Sequence, residues 1–198
     1  MNKIISIQGG MAVGKTTLAK TLEKQFQGIE VLYENPYPIV NKRNTLKLDL
    51  HTLEGFIENQ KLFIEAEIKR FEQLNNELVI LDRGPEDIEF YTLYFPIANG
   101  YIWDIENRLK DELGELRKCR SDLIFYLDAE LETLQFRKQN DLSKRRNSFS
   151  QNMELYLYEK DWYKQFNTKF INVNKKSPVE VEKLFLQILT ENAILNNE

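Results

Sequence analysis

The chain is poor in the residues that mark several protein classes. It has one cysteine in 198 residues, which excludes an internal disulfide, and Cys119 reads as an ordinary reduced thiol. It has one histidine, His51, in "LDLHTLEG", a stretch that reads as the entry to a helix and carries no assigned chemistry. No apolar run approaches the ~20 residues of a membrane span. The opening "MNKIISIQGG" has no apolar segment of signal-peptide length, so a cytoplasmic location is expected. Positive charge is not in excess either. A formal net charge of -4 and a pI near 5.3 leave no field to draw in nucleic acid or an anionic membrane. There is no internal repeat, low-complexity tract or composition break, and the length suits one α/β domain, residues 1–198.

What is present is alternation. Short runs rich in Ile, Val and Tyr, "KIISIQ" (3–8), "IEVLYE" (29–34), "LVILD" (78–82), "DLIFYLD" (122–128) and "KFINVN" (169–174), are separated by longer amphipathic segments. This is the pattern of a five-stranded parallel sheet flanked by crossover helices. Ser177-Pro178-Val179-Glu180 and Ser148-Phe149-Ser150-Gln151 read as capping boxes that start the last two helices.

The first strand runs into Gly9-Gly10-Met11-Ala12-Val13-Gly14-Lys15-Thr16-Thr17 and then a helical pattern, a Walker A phosphate loop in its required strand-to-helix context. The fold class expected is therefore the P-loop NTPase three-layer sandwich. Glycines let backbone N–H groups face the phosphates, Lys15 reaches the β and γ phosphates, and the Thr16 hydroxyl binds Mg²⁺. The cofactors expected are ATP and Mg²⁺. In "LVILDRG", Asp82 at a strand end is placed as a Walker B carboxylate for the metal or as a helix cap, and Arg83 beside it is placed near the transferring phosphate.

A guanine-specific switch needs Asn-Lys-x-Asp, and the nearest stretch, Asn174-Lys175-Lys176-Ser177, lacks the carboxylate. A small kinase fits better. It needs a base, an acceptor pocket and cations over the phosphates. Glu34 in "LYENPYP" is either the base that takes a hydroxyl proton or a turn residue. In "TLEGFIENQKLFIEAEIKRFEQL" (52–74), Leu53, Phe56, Ile57, Ile64, Ile68 and Phe71 form one helical stripe that also carries Gln60 and Glu67. These two polar groups face either a ligand or an internal partner. The basic stretch "RKQNDLSKRRNSF" offers Arg137, Lys138, Lys144, Arg145 and Arg146 and reads as a lid at about 137–150 or as a solvated face. Tyr101, Trp103, Tyr156, Tyr158 and Trp162 lie at helical spacings and read as core or interface.

These motifs, in this order, resemble the deoxynucleoside kinase family of P-loop kinases, with thymidylate kinase more distant. The resemblance rests on the loop at 9–16, Glu34 and Pro36, Gln60, Asp82-Arg83, "YLDAELETLQFRK" and "FINVN". It implies that Glu34 is the general base for a sugar 5′-hydroxyl and that Gln60 reads the base. It implies that Asp82 and Arg83 serve Mg²⁺ and the phosphoryl group, that Asp87 is the acid following that pair, and that Arg137, Arg145 or Arg146 clamp phosphate. It also implies a homodimer through helices in the 86–118 region. The chain departs from the family at Ala12, where a glycine is usual, at Gly84, where a serine is usual, and at Glu67, where an arginine is usual. The function expected is transfer of the ATP γ-phosphate to a hydroxyl of a small acceptor, foremost a nucleoside. The alternatives are a kinase of nucleoside monophosphates, of a non-nucleoside metabolite or of a drug, or a regulatory nucleotide-binding protein.

Overall fold

A computed structural model of the chain describes residues 3–140, 149–192 and 194. The chain forms two compact units, one of residues 1–33, 76–82 and 122–198, the other of residues 34–75 and 83–121.

The first unit holds the whole sheet. Strands β1 (Lys3–Gln8), β2 (Ile29–Tyr33), β3 (Leu78–Asp82), β4 (Leu123–Asp128) and β5 (Thr168–Asn172) pair in parallel in the order β2-β3-β1-β4-β5. Side chains alternate across it. Ile5, Ile7, Phe125 and Leu127 face Leu18 and Leu22 of α1 (Lys15–Gln25) and Phe185 and Leu189 of α9 (Pro178–Glu191). Tyr126 instead meets Tyr163 of α8 (Phe149–Tyr163), with ring centroids 5.1 Å apart. The result is the expected α/β three-layer arrangement, completed by α7 (Leu131–Asn140). The capping box at Ser177 forms as read, with the Ser177 hydroxyl accepting from Glu180 N and the Glu180 carboxylate accepting from Ser177 N.

Strand β5 ends two residues before the expected boundary. Asn172 Oδ1 accepts from Asn174 N at 2.9 Å, an Asx turn that bends the chain out of the ladder. At the other end of the sheet's C-terminal edge, Tyr33 pairs with Asp82, which also pairs with Ile7. The first residues after β1, β2 and β3 are therefore Gly9, Glu34 and Arg83.

The second unit is helical: α2 (Tyr37–Thr45), α3 (Leu53–Glu72), α4 (Pro85–Ala98), α5 (Ile105–Arg108) and α6 (Lys110–Arg117). The apolar stripe of α3 packs as predicted from Leu53 to Ile68, with Phe56 stacked on Phe95 at 5.0 Å and Ile64 buried beside Leu113 and Leu116, while Phe71 is half-buried and lies outside this cluster. Tyr101 and Trp103 lie in the connection from α4 to α5 rather than in a helix, and their rings stack at 4.2 Å. Helix α4 also buries two acids. Glu86 accepts from Ser121 N at 2.6 Å, and burial pushes its carboxyl upward. Glu89, 1% exposed, bridges Arg117 Nε and Arg120 Nη2, both at 2.7 Å. The charge-assisted bonds to Glu89 offset its desolvation only as a set. Glu89→Gln leaves two half-buried guanidinium groups facing a neutral amide. Its expected cost is about 3 kcal/mol, below the upper range for a fully buried pair because both arginines reach solvent. The Tm in a calorimetric scan should fall by about 6–12 °C.

Candidate active site

The phosphate loop lies between β1 and α1 in the first unit. Gly9 and Gly14 take φ values of +125° and +112°, and Ala12 takes +69°. The left-handed conformation at Ala12 is one that glycine adopts freely and that costs an L residue about 1–2 kcal/mol, which gives the usual glycine there a physical reason. Lys15 is buried, and its Nζ donates to Gly9 O at 2.6 Å and Gly10 O at 3.0 Å. The ammonium is thereby held against the loop it is expected to serve. Gly10 packs under the ring of Tyr156, whose hydroxyl donates to Ala129 O.

Thr16 Oγ1 donates to Asp82 Oδ2 at 2.7 Å, so the two expected metal ligands meet. Both are hard oxygen donors, the chemistry Mg²⁺ requires. Among the described residues no group of three or more acidic, histidine or cysteine side chains could hold a metal. The residues thus fit an ion that keeps most of its coordination for water and phosphate oxygens, as Mg²⁺ does.

Arg137, on α7, donates through Nη1 to Val13 O at 2.8 Å and through Nη2 to Val173 O at 3.0 Å. It ties the phosphate loop to the end of the sheet. It also lines a cleft of about 330 Å³ with Thr17, Leu18, Lys176, Pro178 and Val181, directly beside Ala12, Val13 and Gly14. No carboxylate is among the described residues lining this cleft. Asn174 of the guanine-like stretch is used locally, its Oδ1 accepting from Glu130 N at 2.9 Å. Lys144, Arg145 and Arg146 lie outside the described residues.

The second unit gathers the remaining candidates. Arg83 Nε stands 3.1 Å from Glu34 Oε2, and Arg83 Nη1 donates to Asp87 Oδ2 at 2.5 Å. Glu34 keeps about a third of its side chain exposed, at 37%. Arg83 itself has φ +64°, an uncommon conformation for a non-glycine residue. Gln60, 1% exposed, accepts from the Thr92 hydroxyl through Oε1 at 2.9 Å, while its Nε2 is buried with no hydrogen-bond partner among the described residues. Such a donor is costly to leave unsatisfied, by about 1–3 kcal/mol. Glu67 turns to Arg70, with Arg70 Nη1 at 3.1 and 3.2 Å from its two oxygens. Burial pushes the Glu67 carboxyl upward, and the Arg70 charge opposes that shift. Arg70 was not legible as a site residue from the helical wheel. Its Nη1 also reaches Arg83 O at 3.2 Å.

The fold is shared with solved nucleoside and nucleotide kinases. A deoxyadenosine kinase from M. mycoides, with products dCMP and a flexible dCDP bound, superposes with a TM-score of 0.75 at 18% identity, covering 97% of this chain and 100% of that one. The same enzyme with bound dATP gives 0.63 at 19% identity, covering 94% and 99%. Thymidylate kinase from Candida albicans gives 0.63 at 18% identity, covering 100% and 96%. Comparison with curated protein sequences gives no match. The phosphate loop and the Asp82 carboxylate lie within residues 4–180, the span matched by the AAA domain family, as do the five parallel strands apart from Lys3, and the chain belongs to that family.

Proposed function

We propose that the chain is an ATP-dependent kinase that transfers the γ-phosphate to a hydroxyl of a small acceptor, the 5′-hydroxyl of a deoxynucleoside first among these. The observation that carries this reading is the chain of charges Glu34–Arg83–Asp87 directly after Asp82, with Arg83 Nε 3.1 Å from the Glu34 carboxylate. A base for the acceptor hydroxyl is thus held beside a cation for the phosphoryl group.

In this reading the loop N–H groups and Lys15 hold the donor phosphates, and Thr16 and Asp82 hold Mg²⁺. When bound, the ion neutralises charge on the phosphate oxygens. Glu34 takes the proton from the acceptor hydroxyl as the new P–O bond forms and the bond to the β-phosphate oxygen breaks, leaving ADP. Arg83 stabilises the charge on the transferring group. Gln60 Nε2, a buried donor beside the Thr92 bond, is the group that reads the acceptor, and Asp87 orients Arg83 toward it. The cleft lined by Thr17, Lys176 and Pro178 takes the donor base, and the absence of a carboxylate among its described lining residues favours adenine over guanine, whose N–H groups need an acidic partner. Arg137 borders the same cleft, and Arg145 and Arg146 belong to this reading as phosphate clamps.

The deoxynucleoside kinase and thymidylate kinase neighbours, 18–19% identical, support the acceptor class. The reading includes residues 1–198 acting as one kinase domain in the cytoplasm, with no nucleic-acid or membrane partner. Among the described residues no helix is long and apolar enough to cross a membrane. It also includes a homodimer. The helices proposed to form it lie in the 86–118 region.

The test is transfer of labelled γ-phosphate from ATP·Mg²⁺ to a panel of deoxynucleosides, nucleoside monophosphates and hydroxylated small molecules, with an acceptor-free control. The expected outcome is label on one deoxynucleoside, lost on adding EDTA. Label on monophosphates would move the acceptor class, and label on free phosphate alone would sink the kinase assignment.

A further inference from the structure

Arg70 carries no role in the chemistry above, yet it is held more firmly than a surface arginine. It lies in the last turn of α3, with 17% of its side chain exposed and its Glu67 partner at 11%. One nitrogen, Nη1, serves both Glu67 oxygens and the Arg83 carbonyl, at 3.1, 3.2 and 3.2 Å. Arg83 sits at φ +64°, a backbone state that persists only where the surroundings over-determine it. The next residue, Gly84, is extended, and Pro85 opens α4, so neither supplies a polar side chain to bond the turn. Arg83 is held at its guanidinium by Glu34 and Asp87 and at its carbonyl by Arg70.

We infer that Arg70 is a positioning residue for phosphoryl transfer: anchored by Glu67, it grips the Arg83 carbonyl, fixes the left-handed turn after β3, and so aims the Arg83 guanidinium at Glu34. The inference rests on the reading of Glu34 and Arg83 as reacting groups. Glu67 acts here as the anchor of Arg70 rather than as a ligand contact. A cation donating to a carbonyl makes a stronger bond than a neutral donor, and a carboxylate behind it removes the cost of burying that cation alone. The geometry at stake is fine, since a misplacement of about 1 Å can cost on the order of 10²-fold in rate.

The test has two readouts on the full chain. The first needs no turnover: exchange of the Arg83 Nε–H with water, followed by ¹⁵N NMR. Arg70→Gln and Glu67→Gln should each speed that exchange about tenfold or more, because the guanidinium is no longer aimed at Glu34. The second is kinetic. Arg70→Gln should lower kcat about 10- to 100-fold with the KM for ATP within about twofold. That loss should vanish in an Arg83→Gln background, because a residue acting only through Arg83 has nothing left to position. Arg70→Lys keeps a cation opposite Glu67 and should recover part of kcat, and it replaces Arg70→Gln if the latter does not fold. Unchanged exchange overturns the inference. So do losses that add in the Arg83→Gln background, which mark general destabilisation, and a raised acceptor KM at constant kcat, which makes the pair a substrate contact. A wild-type chain without transfer activity overturns the kinase reading instead, and the exchange readout still decides the positioning role.

Discussion

Glu34→Gln is expected to lower kcat by about 10²- to 10⁴-fold, the range a positioned general base contributes. The substitution is close to isosteric. Gln keeps a carbonyl oxygen where the carboxylate now stands 3.1 Å from Arg83 Nε, but it cannot take a hydroxyl proton. Lys15, Thr16 and Asp82 belong to the other unit and are untouched, so the Kd for MgATP should stay within about twofold. Stability should change little as well, because a partly exposed ion pair is worth only about 0–1 kcal/mol. The measurement is steady-state transfer to the acceptor identified from the panel, beside calorimetric titration with ATP·Mg²⁺. A kcat within about threefold of wild type would remove Glu34 from the chemistry and leave phosphoryl transfer without a base at this position. Loss of ATP binding would instead make Glu34 part of the donor site.

The phosphate loop, the sheet and the stripe of α3 were legible because each is written in local pattern. Strand residues such as Ile4–Gln8 are buried on both faces and read as one apolar run, and Gly9 to Thr17 is a contiguous motif. Gln60 was legible for a related reason: an amide on an apolar stripe must find a partner, and here Thr92 meets its oxygen while its nitrogen stays buried. The partner of Glu67 was not legible. Arg70 lies three residues along the same helix, but its second contact, the Arg83 carbonyl, depends on a backbone turn that no side-chain pattern encodes. Glu86 and Glu89 were missed for the same kind of reason. "PEDIEFYTLYFP" has apolar residues around most of the helix, so no face marks these acids as buried, and their partners lie 28–35 residues away at Arg117, Arg120 and Ser121. Tyr101 and Trp103 misled by spacing, since stacked rings two residues apart in an extended segment imitate a helical face only weakly. The two departures at Ala12 and Glu67 divide accordingly. The first is a local backbone strain that the motif itself predicts, and the second is a tertiary contact visible only once α3 and the turn after β3 are placed within the second unit.

Gly9→Ala should abolish measurable MgATP binding and lower the free energy of unfolding by about 2–4 kcal/mol, the range of severe backbone and overpacking defects. Two separate effects act at this residue. Its φ of +125° is one that a side chain rarely permits, and a Cβ there would press into the carbonyl oxygen of Leu127, with Leu127 C and N both only 3.3 Å away. Leu127 belongs to the backbone of β4, buried between neighbours, so it cannot swing aside as a flexible side chain would. Relief must come from the loop. Gly9 O is one of the two carbonyls that hold Lys15 Nζ, so moving it displaces the lysine expected to reach the donor phosphates. Gly14→Ala provides the contrast. Gly14 shares a positive φ of +112°, but a Cβ there meets nothing within 4 Å, so only the backbone term applies and the stability loss should stay near 1–2 kcal/mol. Urea unfolding of both variants beside ATP titration separates the two effects. If Gly9→Ala and Gly14→Ala lose equal stability, the contact with Leu127 contributes nothing and φ alone governs the loop. If Gly9→Ala keeps ATP affinity, the coupling from Gly9 O through Lys15 to the phosphates is absent, and the loop holds its ligand by its N–H groups alone.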